Sequence, residues 1–338
     1  GYQHYTQNSF YNGTEQVMQL GYSRQATRRL SFSLREAAGT YDRGFYGGFD
    51  AIGYVDPTFA NVPSQELFDH RVYYLNTLGD MTYHKSARMS FNFGGDGFLI
   101  RRRSTAFYGT TGYRARGDAV YRLSRRASTG VAYDFTHYEY TKAFGASDLH
   151  GVSLVESFQV GRRAELSLRF GAYRIETLGI TRVTFEPAIA AILGVTSGAE
   201  VLYRVNYAPS LNAAITWGFR TSSLGLSYQR GVTAGNGVYL TSRTTSAGVS
   251  YSYSGIRRWA FNLNGGYDSL GSLTQDIGNY NAFRVSMGVS YDVGRGTHFV
   301  SNLDFRHYAI ETTNYARDPF RVSAGLSFAP GEVPLRFW

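Results

Sequence analysis

The sequence predicts an all-β fold, a closed antiparallel transmembrane β-barrel of about 16 strands, from three observations. Apolar and polar residues alternate over long stretches, short polar turns recur along the chain, and longer connections lie between those turns. The whole chain, 1–338, is predicted to form this single domain. Counts of about 14 or 18 strands stay open, because the first strand is weak and the connection at 41–67 has room for another hairpin.

The stretch from Tyr203 to Phe219 shows the alternation most clearly. Its odd positions are mainly aromatic or aliphatic, and its even positions are mainly small or polar. Because successive side chains of a strand point to opposite faces, such a strand has one apolar and one polar face. The same pattern recurs at 30–35, 113–122, 246–253, 259–268, 283–293 and 320–328.

Seven short polar turns, nearly all with arginine, are predicted at one end of the strands. Their centres lie roughly 35–60 residues apart, and a spacing near 40 fits a hairpin of two strands plus a loop. The two widest intervals contain predicted long extracellular loops near 41–67 and 177–200. A first strand at 2–11 follows from the Asn12-Gly13 hairpin signal, and a last strand is predicted at 317–328. The seven turns are Ser23–Arg28, His84–Arg88, Ser124–Ser128, Gly161–Ala164, Phe219–Ser223, Ser254–Arg258 and Gly294–Thr297.

The composition excludes several other classes of protein. Charged residues make up 17% and aromatic residues 16% of the chain, whereas a soluble domain has about 25% charged residues. Disordered chains lack aromatic residues, and the longest apolar run, Pro187–Leu193, is far shorter than the ~20 residues of a membrane-spanning helix. With no cysteine, the chain forms no disulfide or thiolate site. The start at Gly1 without methionine suggests a processed product.

A soluble β-sandwich is the main alternative to the barrel. Its outward face would be rich in charge, but the polar face here is mostly Ser, Gly, Asn and Thr. Tyrosine and tryptophan also cluster near the strand ends, as they do at membrane interfaces. These two features favour the barrel.

The architecture, the aromatic alternation from Phe320 to Phe328 and the terminal Phe337-Trp338 resemble those of a bacterial outer-membrane β-barrel protein. The resemblance covers nearly all of the chain and implies a porin-like protein in contact with the outer-membrane lipid of a Gram-negative cell. Only Lys85 and Lys142 are lysines, so 34 − 2 = 32 basic residues are arginine. This arginine-rich composition is weakly similar to that of anionic polysaccharide exporters such as the alginate exporter. Nucleic-acid binders mix lysine with arginine, so no nucleic acid is expected as a partner.

Nine arginines are predicted on the polar face, which would line the lumen. Because guanidinium groups bind carboxylates and phosphates in a bidentate manner, they would form a path for anionic solutes or polymers. Alternatively, and with equal weight, the arginines would form an ion network with acidic neighbours that stiffens the barrel wall. The arginines are Arg35, Arg114, Arg116, Arg122, Arg169, Arg204, Arg284, Arg306 and Arg321, and the acidic neighbours are Asp80, Asp118, Asp134, Glu165, Asp268, Asp292 and Asp304.

A second set of arginines lies in or beside the short turns. There they could concentrate anions at the periplasmic mouth, dock an acidic periplasmic partner, or contact anionic lipid headgroups. The set is Arg24, Arg28, Arg29, Arg88, Arg125, Arg126, Arg162, Arg163, Arg220, Arg257, Arg258 and Arg295.

Residues 186–194 predict a short apolar helix, because proline suits its first turn and glycine its end. Glu186, Pro187, Ile189 and Ile192 would form a constriction loop inside the lumen or a lid on neighbouring loops.

The sequence does not predict an enzyme, a metal site or a cofactor. The histidines, at 4, 70, 84, 137, 150, 298 and 307, show no metal-ligand spacing, although His137, His150 and His307 could meet serines at the outer rim. The stretch Gly94–Gly97 is predicted as a strand kink or bulge and Gly235–Gly237 as an outer turn. The predicted function is an outer-membrane channel for small polar, preferentially anionic solutes. The alternatives are an exporter of an anionic exopolysaccharide and a plugged barrel that scaffolds other envelope proteins.

Overall fold

The protein is built of β-strands, as predicted. The structure, a computed structural model, describes residues 2–3, 13–14, 16–42, 71–102, 107–141, 144–184, 192, 194, 196–235, 240–273, 278–294, 296–311, 316–318 and 320–328. Its strands are β1 (Tyr2–Gln3), β2 (Gly13–Thr14), β3 (Gln16–Gln25), β4 (Leu30–Asp42), β5 (Arg71–His84), β6 (Met89–Arg102), β7 (Gly109–Arg122), β8 (Ala127–Thr141), β9 (Gly145–Val160), β10 (Ala164–Thr184), β11 (Ser197–Gly218), β12 (Ser222–Thr233), β13 (Ser242–Tyr253), β14 (Trp259–Ser272), β15 (Asn279–Gly294), β16 (Thr297–Ile310), β17 (Ala316–Arg317) and β18 (Phe320–Phe328).

Strands β3 to β18 form one antiparallel sheet of 16 strands in chain order. Strands β17 and β18 both pair with β16 and are successive parts of one crossing, so the chain crosses the sheet 16 − 1 = 15 times. No helix among the described residues is long and apolar enough to span a membrane.

All seven predicted short turns are confirmed, and they lie together at one end of the sheet. They connect β3 to β4, β5 to β6, β7 to β8, β9 to β10, β11 to β12, β13 to β14 and β15 to β16. We call this the short-turn end and the opposite end the long-loop end. The predicted loop at 177–200 is wrong in its bounds. The β10–β11 ladder runs from Ala164↔Trp217 to Thr184↔Ser197, so only 185–196 connect the two strands. In the predicted loop at 41–67, Tyr41 and Asp42 belong to β4, and the rest lies outside the described residues.

The predicted two-residue hairpin at Asn12-Gly13 is wrong. Gly13 lies within β2, where it pairs with Gln3, and Tyr2 pairs with Thr14. Gly13 therefore belongs to a ladder and not to a turn. Of the predicted strand at 2–11, only Tyr2–Gln3 falls within the described residues.

The two edge strands of the sheet run in the same direction. Strand β3 ends at the short-turn end, and so does β18, because each pairs with a strand that begins there. In the described part of the chain, β3 and β18 are not paired with each other. Direct pairing of β3 with β18 would therefore make a parallel ladder. Strand β1 runs antiparallel to β2, and β2 leads into β3.

Polarity is inverted relative to a soluble protein. One face of the sheet, the outer face, exposes large apolar side chains, while the inner face buries charged and hydroxyl groups. The exposed side chains include Leu20, Leu34, Phe93, Val131, Val152, Phe170, Val249, Met287 and Val322. The buried polar ones include Asn76, Asp96, Thr110, Asp134, Ser153, Thr177, Asp304 and Arg306. In water, each exposed large apolar side chain would forfeit about 1.5–3 kcal/mol of burial energy, so this face suits hydrocarbon.

Side-chain contacts across the inner face show that the sheet curls. The Tyr140 hydroxyl lies 2.6 Å from Thr241 Oγ1, and the Ser147 hydroxyl lies 2.5 Å from the same atom. Tyr140 belongs to β8, and Thr241 directly precedes β13. In a flat sheet, five strand spacings would separate them by about 24 Å. The inner face is therefore concave, and we call the space that it borders the lumen.

Some carboxylates of the described strands lie on the outer face, and Glu36 and Glu156 are two of them. Glu36 accepts a hydrogen bond from the Thr77 hydroxyl at 2.6 Å, and Glu156 accepts one from the Thr129 hydroxyl. In both cases, the donor stands directly opposite on the neighbouring strand. Each carboxylate is thus partnered within the face itself.

Candidate functional site

All nine predicted lumen arginines lie on the inner face. On its strand, each arginine lies an even number of residues from a buried inward residue, or it stands opposite Asp304 across the ladder. These buried residues include Ala37, Thr110, Ile175, Ala208 and Ala282. Seven of them lie near mid-height of the sheet. The other two are exposed near its ends, Arg122 at the short-turn end and Arg204 on the upper part of β11.

The first group of mid-height arginines is tightly paired with carboxylates. Asp80 accepts a bond from Arg35 Nη2 at 3.0 Å and another from Arg116 Nη2. Arg114 Nε donates to Asp96 Oδ1 at 2.6 Å, and the Asp96 side chain is 1% exposed. These pairs realise the predicted wall network. Asp96 was missed as an acidic neighbour because it lies in the glycine-rich stretch 94–97.

Glycines make room for these ion pairs. A β-carbon on Gly94 would lie 2.6 Å from Asp80 Oδ1 and even nearer to the Arg116 guanidinium. A β-carbon on Gly151 would similarly lie 2.7 Å from Asp134 Oδ2. The charged side chains therefore lie flat against the wall. The bulge predicted at 94–97 is wrong, because the ladders on both sides of β6 continue through it without a register shift, and the alternative of a kink stays a prediction.

The second group of arginines lies on β15, β16 and β18. Arg284 and Arg306 stand directly opposite each other in the ladder, and Arg321 stands opposite Asp304. Arg284 Nε lies 3.8 Å from Asp268 Oδ2, a longer distance than that between Arg35 and Asp80.

Nearer the long-loop end, the inner face becomes apolar and aromatic, which the sequence analysis did not predict. Tyr138 and Leu149 belong to a buried cluster on β4–β12, and Phe98 packs edge-on against Tyr138 with ring centres 5.6 Å apart. Tyr280 and Tyr308 form a similar pair on β15 and β16. The lumen therefore has a charged belt at mid-height and an aromatic layer above it. The buried cluster is Ala37, Val72, Tyr74, Leu78, Phe98, Ile100, Tyr138, Leu149, Ile175, Ala208 and Ala234.

Thr241 joins opposite parts of this aromatic layer. It is fully buried, and its hydroxyl lies between those of Tyr140 and Ser147. Ser147 in turn donates to Thr177 Oγ1 at 3.2 Å. A hydroxyl chain thus links β8, β9 and β10 to the start of β13 and narrows the lumen near the long-loop end.

The predicted constriction loop is only partly described. Ile192 belongs to an α-helical turn and is 84% exposed, and Gly194 has a φ of 66°. Glu186, Pro187 and Ile189 lie outside the described residues. The role of this loop therefore stays a prediction.

Eleven of the twelve predicted turn arginines are exposed at the short-turn end, and Arg295 lies outside the described residues. Arg258 has a φ of 68°, the only positive value among the described residues other than glycine. It directly precedes Trp259, whose ring packs against Tyr291 with centres 4.8 Å apart. This end therefore combines a ring of cations with outward aromatic side chains.

The three rim histidines are bonded to carboxylates or a phenol. His137 Nδ1 lies 2.6 Å from Asp148 Oδ1, and His307 Nδ1 lies 2.6 Å from Asp318 Oδ1. His150 Nδ1 lies 2.9 Å from the Tyr133 hydroxyl. A serine hydrolase would instead need a serine hydroxyl on the histidine. Among the described residues, no group of three His, Asp or Glu side chains is arranged to hold a metal ion.

No protein-family profile matches the chain, and no curated protein matches it closely enough to count as a relative. Solved structures do share its fold. The FrpB iron transporter from Neisseria meningitidis (F5-1 variant) has 10% identity and a TM-score of 0.52, covering 88% of this chain and 51% of that one. The ferric citrate transporter FecA has 11% identity and a TM-score of 0.53, covering 94% of this chain and 55% of that one.

At these identities, the likeness shows the fold alone, that of an outer-membrane β-barrel. The chain spans about half the length of the transporters it matches. The matched proteins are transporters rather than enzymes, and they are named for iron and ferric citrate rather than as porins or polysaccharide exporters.

Proposed function

We propose that the chain is an outer-membrane transport barrel for small polar, preferentially anionic solutes. The observation that carries the proposal is the inverted polarity of the curled sheet, with apolar side chains outside and an arginine-lined lumen inside. Hydrocarbon leaves no water for backbone groups, so only helices and closed barrels cross it. The short-turn end then faces the periplasm, as in other outer-membrane barrels.

Closure of the barrel is part of this proposal. An open sheet in lipid would leave two rows of backbone groups without hydrogen bonds, each group costing several kcal/mol. Because β3 and β18 run in the same direction, an antiparallel closure needs one ascending strand between them. Strand β1 has that direction and pairs with the strand that leads into β3. Strand β1 would add one crossing to the fifteen crossings of the main sheet and make sixteen in total.

The preference for anions follows from the balance of charge. The lumen arginines are partly neutralised by Asp80, Asp96, Asp268 and Asp304, whereas the short-turn end exposes eleven described arginines. A cleft lined by one sign of charge focuses the field and raises the local concentration of counter-ions. Solutes with carboxylate or phosphate groups would therefore be enriched at the periplasmic mouth. The cargo is proposed from these arginines and not from the iron compounds for which the neighbours are named.

The aromatic layer favours a lumen that is closed in this state. The buried hydroxyl chain at Thr241 and the packed rings beside it narrow the path above the charged belt. Passage would then require the Thr241 contacts with Tyr140 and Ser147 to open. The same layer is the observation that supports the second candidate, a plugged barrel that scaffolds other envelope proteins.

Solute uptake by proteoliposomes tests the proposal. The purified chain is reconstituted, and swelling rates are compared for glutamate, glutamine and lysine, which are similar in size and differ in charge. The proposal predicts the fastest swelling with glutamate and the slowest with lysine. If liposomes with and without the protein swell at equal rates for all three solutes, the plugged scaffold would be favoured. Faster entry of lysine than of glutamate would overturn the anionic preference.

A further inference from the structure

A cavity of about 210 Å³ opens on the inner face of β12–β16. One row of cross-strand neighbours contributes four of its lining residues, Ser227, Gly248, Arg284 and Arg306, and Gly266 completes this row between Gly248 and Arg284. The two glycines stand side by side, so the wall between Ser227 and the arginines carries no side chains. The cavity exists because of this gap in the row.

Two like charges border the gap. Arg284 and Arg306 occupy directly opposed ladder positions, and Arg284 Nε lies 3.8 Å from Asp268 Oδ2. Arg306 is 7% exposed. Arg284 leans over the gap, because its Nε lies 2.9 Å from the position that a β-carbon on Gly266 would occupy. Both guanidinium groups therefore belong to the edge of the cavity.

The neighbouring rows supply further donors and a roof. Toward the short-turn end, Ser250, Asn264 and Ser286 are successive cross-strand neighbours and line the same cavity. Toward the long-loop end, Tyr280 and Tyr308 stand in the next rows and are nearly fully buried. Hydroxyl, amide and guanidinium donors thus converge on one space that is screened on the extracellular side, and Asp304 lines the same space.

We propose that this cavity is a binding site for a small oxyanion, held between Arg284 and Arg306. Guanidinium groups present paired N–H donors that match the oxygens of phosphate and carboxylate groups. The cavity is smaller than the 300–1,000 Å³ of pockets for drug-sized ligands, so a single oxyanion group is the ligand that fits. The inference rests on the proposed function and adds a binding site along the path of the anions.

Equilibrium dialysis of radiolabelled inorganic phosphate against the detergent-purified full chain tests the site. Saturable binding to the wild-type chain is expected, and Arg284→Gln and Arg306→Gln should each weaken it at least tenfold. Arg306→Lys keeps the positive charge but lacks the paired N–H donors of a guanidinium group. Its affinity for phosphate should therefore lie between those of the two glutamine variants and that of the wild type. The matched control is Arg243→Gln, which removes an exposed arginine of outward parity in β13 and should leave binding unchanged. Ser286→Ala keeps every charge and should weaken binding severalfold.

Competition identifies the class of anion. Stronger competition by acetate than by sulfate would assign the site to carboxylates, and the reverse would assign it to tetrahedral oxyanions. Absence of saturable binding of both phosphate and acetate to the wild-type chain would overturn the inference, as would an equal loss in Arg243→Gln. Because dialysis needs no conduction, binding without solute uptake would refute the proposed function and leave the site intact. Solute uptake without saturable anion binding would refute the site and leave the proposed function intact.

Discussion

The Thr241 hydroxyl lies 2.6 Å from the phenol oxygen of Tyr140 and joins the start of β13 to β8 across the lumen. Both residues are buried, so this contact is shielded from water. It lies above the charged belt, where the aromatic side chains narrow the path. A substitution at this contact can therefore test the stability of the fold and the proposed closure of the lumen together.

Thr241→Val should destabilise the barrel and loosen this closure. The substitution keeps the shape of the side chain and leaves the buried hydroxyls of Tyr140 and Ser147 with one partner fewer, at a cost of about 1–3 kcal/mol. The expected result is a lower thermal midpoint together with faster solute uptake. Ser223→Ala, which removes one member of an exposed serine pair, is the control and should change neither. Lower stability with unchanged uptake would separate this contact from gating.

Gly94→Ala should destabilise the charged belt, whereas Gly97→Ala should not. The added methyl at 94 would meet the Asp80 carboxylate and the Arg116 guanidinium, and overpacking of this kind costs about 1–3 kcal/mol. A β-carbon on Gly97, three residues along the same strand, has nothing within 4 Å. The free energies of unfolding in urea compare the two variants directly. Equal stability of the two would mean that the Asp80–Arg116 pair can leave the wall at no cost.

Asp80→Asn should increase the preference for anions. Asp80 is shared by Arg35 and Arg116, and its side chain is 26% exposed. Loss of the carboxylate leaves both arginines without that counter-charge, adds one positive charge to the lumen and costs roughly 1–2 kcal/mol, less than for a fully buried pair. The anion-to-cation permeability ratio in planar bilayers is the measurement. A lower ratio in the variant would show that the pair lies off the ion path.

Closure of the sheet can be tested by disulfide formation, because the native chain has no cysteine. Gln3→Cys combined in turn with Ala316→Cys or Asp318→Cys places thiols on the two edges that the proposed barrel brings together. Bridging within one molecule, seen as a mass difference after reduction without dimers, is expected for at least one pair. Covalent dimers instead would show that the edges pair between copies.

The sequence predicted the short turns and the inward position of the arginines, because both depend on local chemistry. Arg35 and Arg306 could be assigned to a face by counting every second residue. The aromatic layer could not be assigned in this way. An inward Tyr74 or Ile175 alternates with its neighbours just as an outward one does, so periodicity alone does not reveal which apolar residues leave the lipid face. The Tyr140–Thr241 contact depends on the curvature of the whole sheet, which no local pattern contains.

The central claim is that arginines give the lumen and its periplasmic mouth a positive field. The reversal potential of the reconstituted chain in a planar bilayer under a KCl gradient tests it most directly. Screening lengths of ~30 Å at 0.01 M and ~3 Å at 1 M salt predict strong anion selectivity at low salt that fades as salt rises. Cation selectivity at low salt, or a selectivity that does not change with salt, would contradict the account.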